Sequence, residues 1–377
     1  MTSPLHVAFV HDALPPYRRP LFNLVAQRHR VTFFFTNVKD VSLPGRCVSV
    51  RGYRLPEMSD YVVAPTLLRE LKEFHRRDPF DVVILPDLGN FSCEIGYLFA
   101  RLSKLPYALW SGEWLAIGHP RRWLMAPLER SIAQRAAACL AYGSRAKRRL
   151  RQLGASEERI RVTGNASDYW FSPPAVEDLA EIRQEWSIGD RRVILFLGRL
   201  LEFKAPDVLL EAFARMGRSG NAYLVMAGQG PLLGTLQGRA RERRLTNVHF
   251  TGQAVIGDQE KDLLYGLASA FVLPSRRWRT VEPWGLVLNE AASACLPIVA
   301  TEWVGAVGDL IRDGETGYVI PGDEPGALAE AILDILQQPE EAKELGLRAR
   351  EVAAQFTIDR MAGAMDWAIQ TAADARP

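Results

Sequence analysis

Short runs of β-branched and aromatic residues alternate along this chain with longer stretches whose apolar positions recur at helical spacing. "HVAFVHD", "RVTFFFTN", "DVVILPD", "YALWSGE", "ACLAYG" and "RIRVTGN" form one series, with helices expected over residues 18–28 and 65–76. Strands that read as unbroken apolar runs are buried on both faces, which predicts a parallel sheet covered by helices. The pattern then restarts with "RRVILFLGRL", "AYLVMAGQG", "NVHFTGQ", "AFVLPS", "LPIVAT" and "TGYVI". Helices are expected here near residues 207–216, 231–243, 259–266 and 284–294. Between the two series, "DYWFSPPAVED" carries two prolines that interrupt regular structure and reads as a linker.

The predicted architecture is α/β: two doubly wound, Rossmann-like domains facing one another across a cleft, residues 1–173 and 174–355. The Ala-rich stretch at residues 340–373 is helical by periodicity. Periodicity leaves open whether its last part, residues 356–377, stays on the second domain or crosses back to the first. The length, 377 residues, agrees with two domains.

Charge changes the picture of the first half. The net charge is only +2, yet residues 1–170 carry 25 Lys and Arg against 15 Asp and Glu, and residues 171–377 carry 21 against 29. The first half is therefore expected to attract anionic surfaces or ligands. Cys47, Cys93, Cys139 and Cys295 lack the paired spacing of zinc or redox sites. The start "MTSPLHVAFVHDALPP" has no basic region followed by a long apolar core, and no later stretch is long enough to span a bilayer. A reduced, cytoplasmic protein is expected, soluble or held at the inner face of the plasma membrane.

Candidate chemistry gathers at strand ends. After "ILFLG", ending at Gly198, the cations Arg199 and Lys204 follow within six positions, an arrangement suited to a diphosphate, although two solvated surface charges would read the same way. "AGQGPL" places Gly228 and Gln229, and "FTGQA" places Gly252 and Gln253, where backbone could approach a ligand or simply turn. "EPWGLVLNEAASACLPIVAT" sets Glu282 in a loop, then Pro283, Trp284, Gly285 and Leu286, then Glu290 on a helix. Free amides at Gly285 and Leu286 favour a phosphate, Glu290 can accept from ribose hydroxyls, and Glu282 lies where an attached sugar would project. The bland alternative is that Glu282 caps the helix while Glu290 is solvated.

The second half, from about residue 193 to 336, resembles the retaining nucleotide-sugar glycosyltransferases of the GT-B fold, family four. The resemblance rests on "GRLLEFKAPDVLLEAF", "AGQGP", "FTG", "VLPS", "EPWGLVLNEAASACLPIVAT" and "DGETGYVI", in that order. It implies that Arg199 and Lys204 bind the donor diphosphate, that Glu282 lies near the donor sugar and that Glu290 binds the ribose. It also implies transfer with retention, in which the leaving phosphate deprotonates the acceptor and no enzyme nucleophile is required. The first half resembles the family less closely. "HDALPPYRRPLFNLVAQ" has Pro15 and Pro16 where members often carry a Gly-rich loop. His11, Tyr17 and Arg18 are its acceptor-side candidates, with His11 equally readable as a plain strand-end residue. Many members place a His after the fourth strand; here "LWSGEW" offers Glu113, with His119 following, and Glu113 is the preferred candidate.

"RRWLMAPLERSIAQRAAACLAYGSRAKRRLRQLG" sets Trp123, Leu124, Met125 and Leu128 among Arg121, Arg122, Arg130, Arg135, Arg145, Lys147, Arg148 and Arg149. It reads as a surface for an anionic membrane, or as a solvated helix packed on its own sheet. No nucleic-acid recognition module is present, and "VHDALPPY" lacks the G-x-G-x-x-G of a dinucleotide-dependent oxidoreductase. The expected activity is sugar transfer from a nucleoside diphosphate sugar to a hydroxyl of a glycan or lipid-linked acceptor, in bacterial cell-surface polysaccharide or glycolipid assembly. No cofactor and no metal are expected. The alternatives are a sugar-nucleotide epimerase of the same fold and a non-catalytic glycan- or nucleotide-binding protein.

Overall fold

The apolar runs of the first half pair in parallel, as their lack of alternation requires. The computed structural model describes residues 4–36, 46–49, 53–54, 62–63, 66–117, 120–217, 221–253 and 256–375. Its strands in the first half are β1 (His6–His11), β2 (Arg30–Phe35), β3 (Arg46–Ser49), β4 (Tyr53–Arg54), β5 (Val62–Val63), β6 (Val82–Leu85), β7 (Tyr107–Ser111), β8 (Ala138–Ala141) and β9 (Ile160–Val162). The main sheet runs in the order β3-β2-β1-β6-β7-β8-β9, and β4 pairs antiparallel with β5. Phe9 sits opposite both Phe33 and Ile84 in the central register. One face buries Phe9 against Phe22 and Trp110, with ring centroids 5.1 and 6.1 Å away. The opposite face packs Ala8, Val10, Phe34, Val83 and Leu109 against Leu71 and Phe99 of the covering helices.

The second half repeats the design with β10 (Arg192–Leu197), β11 (Ala222–Ala227), β12 (Val248–Phe250), β13 (Ala268–Leu273), β14 (Ile298–Thr301) and β15 (Tyr318–Ile320). Their order is β12-β11-β10-β13-β14-β15. Each sheet therefore reverses its winding once, between β1 and β6 and between β10 and β13. Ligands of doubly wound sheets bind beyond the carboxyl ends of the strands at such a reversal.

Contacts divide the chain into one unit of residues 1–168 with 356–377 and another of residues 169–355. The division falls a few residues before the expected 173/174 boundary, because the linker's start is bonded to the second unit. The Tyr169 hydroxyl and the Ser172 amide both donate to Asp262 Oδ1, at 2.7 and 3.0 Å, and the Phe171 amide donates to Ser293 Oγ at 3.0 Å. The stretch expected as one helix over residues 340–373 is two, Pro339–Ala353 and Ile358–Asp374. Thr357 caps the second by accepting from the Arg360 amide at 3.1 Å. That last helix lies on the first unit and buries Met361, Met365, Ala368, Ile369 and Ala372. His29 Nε2 meets Asp366 Oδ1 at 2.7 Å, and the Arg161 guanidinium stacks 4.0 Å over the Trp367 ring. The helix expected over 284–294 is shorter, Val287–Ser293. Gly285 at φ +91° keeps Trp284 in the preceding loop, where its side chain is buried.

Candidate functional site

In the second unit the loops after β10 and β13 flank the reversal in strand order, and each delivers a charged side chain to the same place. Lys204 ends a short turn, Glu202–Lys204, held by left-handed Ala205 ahead of the helix Pro206–Met216. Its Nζ forms an ion pair with Glu282 Oε2, and both side chains are largely buried. Glu282 is fixed from its own backbone, because its carbonyl accepts from the Gly305 amide at 3.0 Å and the Trp284 carbonyl accepts from Ala306 at 3.2 Å. Two carboxyl-end loops thus meet through a buried ion pair, whose charges compensate one another's desolvation.

Next to that pair, the carbonyls of Gly285 and Leu286 accept from the Leu288 and Asn289 amides, each at 2.9 Å. Among the described residues the amides of Gly285 and Leu286 themselves donate to no protein acceptor. These free donors, with the Lys204 ammonium, are the groups a phosphate would use. Arg199, on the loop after β10, is exposed, as is Pro283.

Other residues singled out in the sequence have structural duties. Trp284 is a core residue: 1% exposed, it donates from Nε1 to Asn289 Oδ1 at 2.8 Å and so stabilises the loop rather than presenting its ring. Gly228, at φ +139°, serves loop packing, since a Cβ there would lie 2.0 Å from the Gly198 carbonyl oxygen. The close approach it permits is to the neighbouring loop, where the Leu200 amide donates to the Gln229 carbonyl at 2.9 Å. The Gly228 amide donates to Thr251 Oγ1 at 3.0 Å, joining this loop to the turn that holds Gly252, and Gln253 is exposed.

Glu290 is neither solvated nor free, being 6% exposed. Its Oε1 accepts from Lys261 Nζ at 3.0 Å and its Oε2 from the Tyr265 hydroxyl at 2.9 Å. Burial pushes its carboxyl above the usual range, opposed first by the Lys261 charge. The sequence alone does not single out Lys261 and Tyr265. Their i, i+4 spacing in "EKDLLYGL" placed them on one face of the helix, but nothing local showed what that face meets.

The first unit gathers a second polar group at its own reversal. His11, at the end of β1, has Nδ1 2.7 Å from the Ala13 carbonyl, and burial lowers its pKa to about 4, with Arg18 adding to the shift. Arg18 is buried, donates from Nη2 to the Tyr142 hydroxyl at 2.9 Å and lies 4.7 Å over the Trp110 ring. Tyr17 is exposed beside it. Asp12 accepts from Asn90 Nδ2 at 2.5 Å and from Ser92 Oγ, and burial raises its carboxyl to about 6. Asp87 pins the "SGEW" loop by accepting from Ser111 Oγ at 2.9 Å and from the Gly112 amide at 2.6 Å.

Glu113 itself is committed elsewhere. Arg122 grips it with two hydrogen bonds of 2.5 and 2.8 Å and also donates to Glu129, while Arg149 lies 3.5 Å from Glu129 and 3.8 Å from Glu113. Burial pushes the Glu113 carboxyl upward against this fork. His119 lies outside the described residues. The same network removes Arg122 and Arg149 from the basic face read from the sequence. Lys147 pairs with Glu157 at 2.7 Å, and Arg145 stacks on Trp114. Exposed on this part of the unit are Trp123 and Leu124, at 81% each, with Arg130, Arg135 and Arg148. Among the described residues no helix is long and apolar enough to cross a membrane, and no group of three His, Cys, Asp or Glu could hold a metal ion.

Residues 178–352 match the family model for glycosyl transferases group 1, and residues 21–166 match the glycosyl transferase 4-like domain. The chain is 29% identical over 259 residues to the GDP-mannose-dependent alpha-(1-6)-phosphatidylinositol monomannoside mannosyltransferase of Mycobacterium tuberculosis, covering 65% of this chain and 66% of that one. It is 31% identical over 249 residues to the alpha-D-kanosaminyltransferase of Streptomyces kanamyceticus, covering 62% and 61%. The chain thus spans just under two thirds of the length of these curated relatives. The solved structure of HepE from Anabaena with UDP-glucose superposes with a TM-score of 0.74 at 17% identity, over 96% of this chain and 99% of that one. WaaG, a glycosyltransferase involved in lipopolysaccharide biosynthesis, gives 0.67 at 18%, over 96% and 98%. At such identities the likeness is one of fold.

Proposed function

Because the chain belongs to the glycosyltransferases of the GT-B fold, family-four type, we propose that it moves a sugar from a nucleoside diphosphate sugar to an acceptor hydroxyl, with retention of anomeric configuration. The observation that carries this reading is the meeting of Lys204 and Glu282 beside the unpaired amides of Gly285 and Leu286, at the strand-order reversal of the second sheet. Departure of the nucleoside diphosphate develops negative charge on its terminal phosphate. Lys204 and the two amides are fixed donors for that charge, and fixed donors in a water-poor site need no reorganisation as the bond breaks. Arg199, on the same loop as Lys204, adds an exposed cation. Glu282 orients Lys204 and accepts from a hydroxyl of the donor sugar, while the leaving phosphate takes the acceptor's proton. In this reading no metal ion takes part.

The acceptor class is a glycan or glycolipid, as the name of the phosphatidylinositol monomannoside mannosyltransferase suggests, and its site is built in the first unit around His11, Tyr17 and Arg18. The exposed Trp123–Leu124 pair, with Arg130, Arg135 and Arg148 nearby in sequence, holds the protein on an anionic membrane surface. Vesicle flotation tests the last point, with selective recovery on anionic lipid expected and equal recovery on neutral lipid counting against it.

The donor reading is tested by thermal-shift and titration measurements across nucleoside diphosphate sugars, beginning with UDP-glucose and GDP-mannose, followed by product analysis with glycolipid acceptors. Donor-dependent stabilisation and an acceptor product of the donor's own anomeric configuration are expected. An inverted product would refute retention, and release of a rearranged sugar without any acceptor would refute transfer.

A further inference from the structure

Glu290 carries an ionised-state burden that its surroundings must relieve. The carboxylate is 6% exposed and sits on a helix with no basic residue of its own. Relief comes from the neighbouring helix Asp258–Leu267, where Lys261 and Tyr265 approach one oxygen each, at 3.0 and 2.9 Å. Lys261 is in turn held on its other sides. Its Nζ lies 3.5 Å from Asp258 Oδ1 and 4.6 Å over the Tyr169 ring, whose hydroxyl donates to Asp262 at 2.7 Å. Its side chain is only 18% exposed, with three partners around it.

A carboxylate offers two lone-pair directions on each oxygen. With one direction per oxygen occupied by the protein, one remains on each, and two adjacent acceptors match two adjacent hydroxyls. We propose that Lys261 is a positioning residue which, with Tyr265, keeps Glu290 ionised and turned so that its two remaining acceptor directions select a vicinal diol, that of the donor's ribose. The inference rests on the donor reading given above and names residues for which that reading had no role.

The groups facing Glu290 are Lys261, Tyr265 and Asp258 from the helix and Tyr169 from the chain segment ahead of it. Burial and Asp258 push its carboxyl upward, while Lys261 and the Tyr265 hydrogen bond hold it down. Without Lys261 the largest influence holding the carboxyl down is lost and the upward influences act with less opposition; a carboxyl that takes up a proton turns one acceptor into a donor. Nucleoside diphosphate sugars are diesters of pyrophosphate whose phosphate groups do not titrate in this range, so any pH dependence of their binding reports on the protein.

Calorimetric titration with UDP-glucose and GDP-mannose, from mildly acidic to mildly alkaline pH, tests the inference. Lys261→Met should lose on the order of tenfold in affinity at the acidic end and regain it as pH rises, where the unaltered protein is flat. Lys261→Arg should restore the flat profile. Tyr265→Phe, which changes no shape, should move the profile in the same direction by a smaller amount and keeps the test open if Lys261→Met fails to fold. Preference for a ribose over a 2′-deoxyribose donor should shrink in both variants, while turnover at saturating donor changes little. If Glu290→Gln weakens binding but Lys261→Met and Tyr265→Phe leave affinity and pH profile unchanged, the positioning role is overturned and the donor reading stands. If neither donor binds the unaltered protein, or Glu290→Gln has no effect, the donor reading fails and this inference with it.

Discussion

Lys204 and Glu282, carried by loops after two different strands, form a buried ion pair at the reversal of the second sheet. The lysine that would hold a diphosphate is therefore already neutralised, and an incoming phosphate competes with Glu282 for it. Lys204→Ala should lower kcat/KM by about a hundredfold, the scale on which a single fixed charge donor acts. Glu282→Gln should instead bind the bare nucleoside diphosphate more tightly, by several-fold, while turnover falls. Equal losses of nucleotide affinity in both variants, measured by calorimetry, would show that the pair acts only as a structural clamp.

Gly228 sets the distance between two loops. Alanine there requires φ +139° and puts a Cβ 2.0 Å from the Gly198 carbonyl oxygen. The expected result of Gly228→Ala is a loss of about 3 kcal/mol or more, from backbone strain and displaced packing together, read as a lower melting temperature. Donor affinity should fall with it, because the displaced loop leads to Arg199 and Lys204.

The last helix belongs to the first unit's core although it follows the second unit in sequence. Met365→Ala removes a fully buried side chain and should cost about 2–5 kcal/mol. Ending the chain at Gln355 would expose the sheet face that Met361, Met365 and Ile369 cover, and the shortened protein should aggregate or melt far lower. A truncated form with the melting curve of the full chain would contradict this.

Asp12 offers a pH-dependent test. Its carboxyl stands at about 6 in the folded protein against 3.8 for the ordinary group, so the folded state binds the extra proton. Stability from this group is complete below the ordinary value, declines as pH rises from about 4 to 6, and is level above that. The decline is on the order of 2–3 kcal/mol. Asp12→Asn, which resembles the protonated form, should remove that slope, so the two proteins' melting temperatures should diverge across this pH interval in favour of the variant.

Much of the fold was legible because its signals are local. Unbroken apolar runs marked buried parallel strands, and the restart of the pattern marked a second sheet. The motifs at strand ends located Arg199, Lys204, Glu282 and Glu290 in the loops and helix that carry them. Trp284, between the two candidate carboxylates, is buried with its Nε1 on Asn289, and aromatic character looks the same in a binding loop and in a core. Glu113 follows a strand, the position that makes it a candidate, yet Arg122 and Arg149, from helices further along the chain, converge on it.

By itself, then, the sequence determined the alternation of strands and helices, the two sheets and the positions of the charged loops, since each depends on periodicity within a few turns. Tertiary structure decided which charges meet: Lys204 with Glu282, Lys261 with Glu290, Glu113 with Arg122. It also decided that the final helix returns to the first unit. Those outcomes depend on where separate loops and helix faces come to rest and on how deeply each side chain is buried, and neither is encoded in the spacing of residues along one segment.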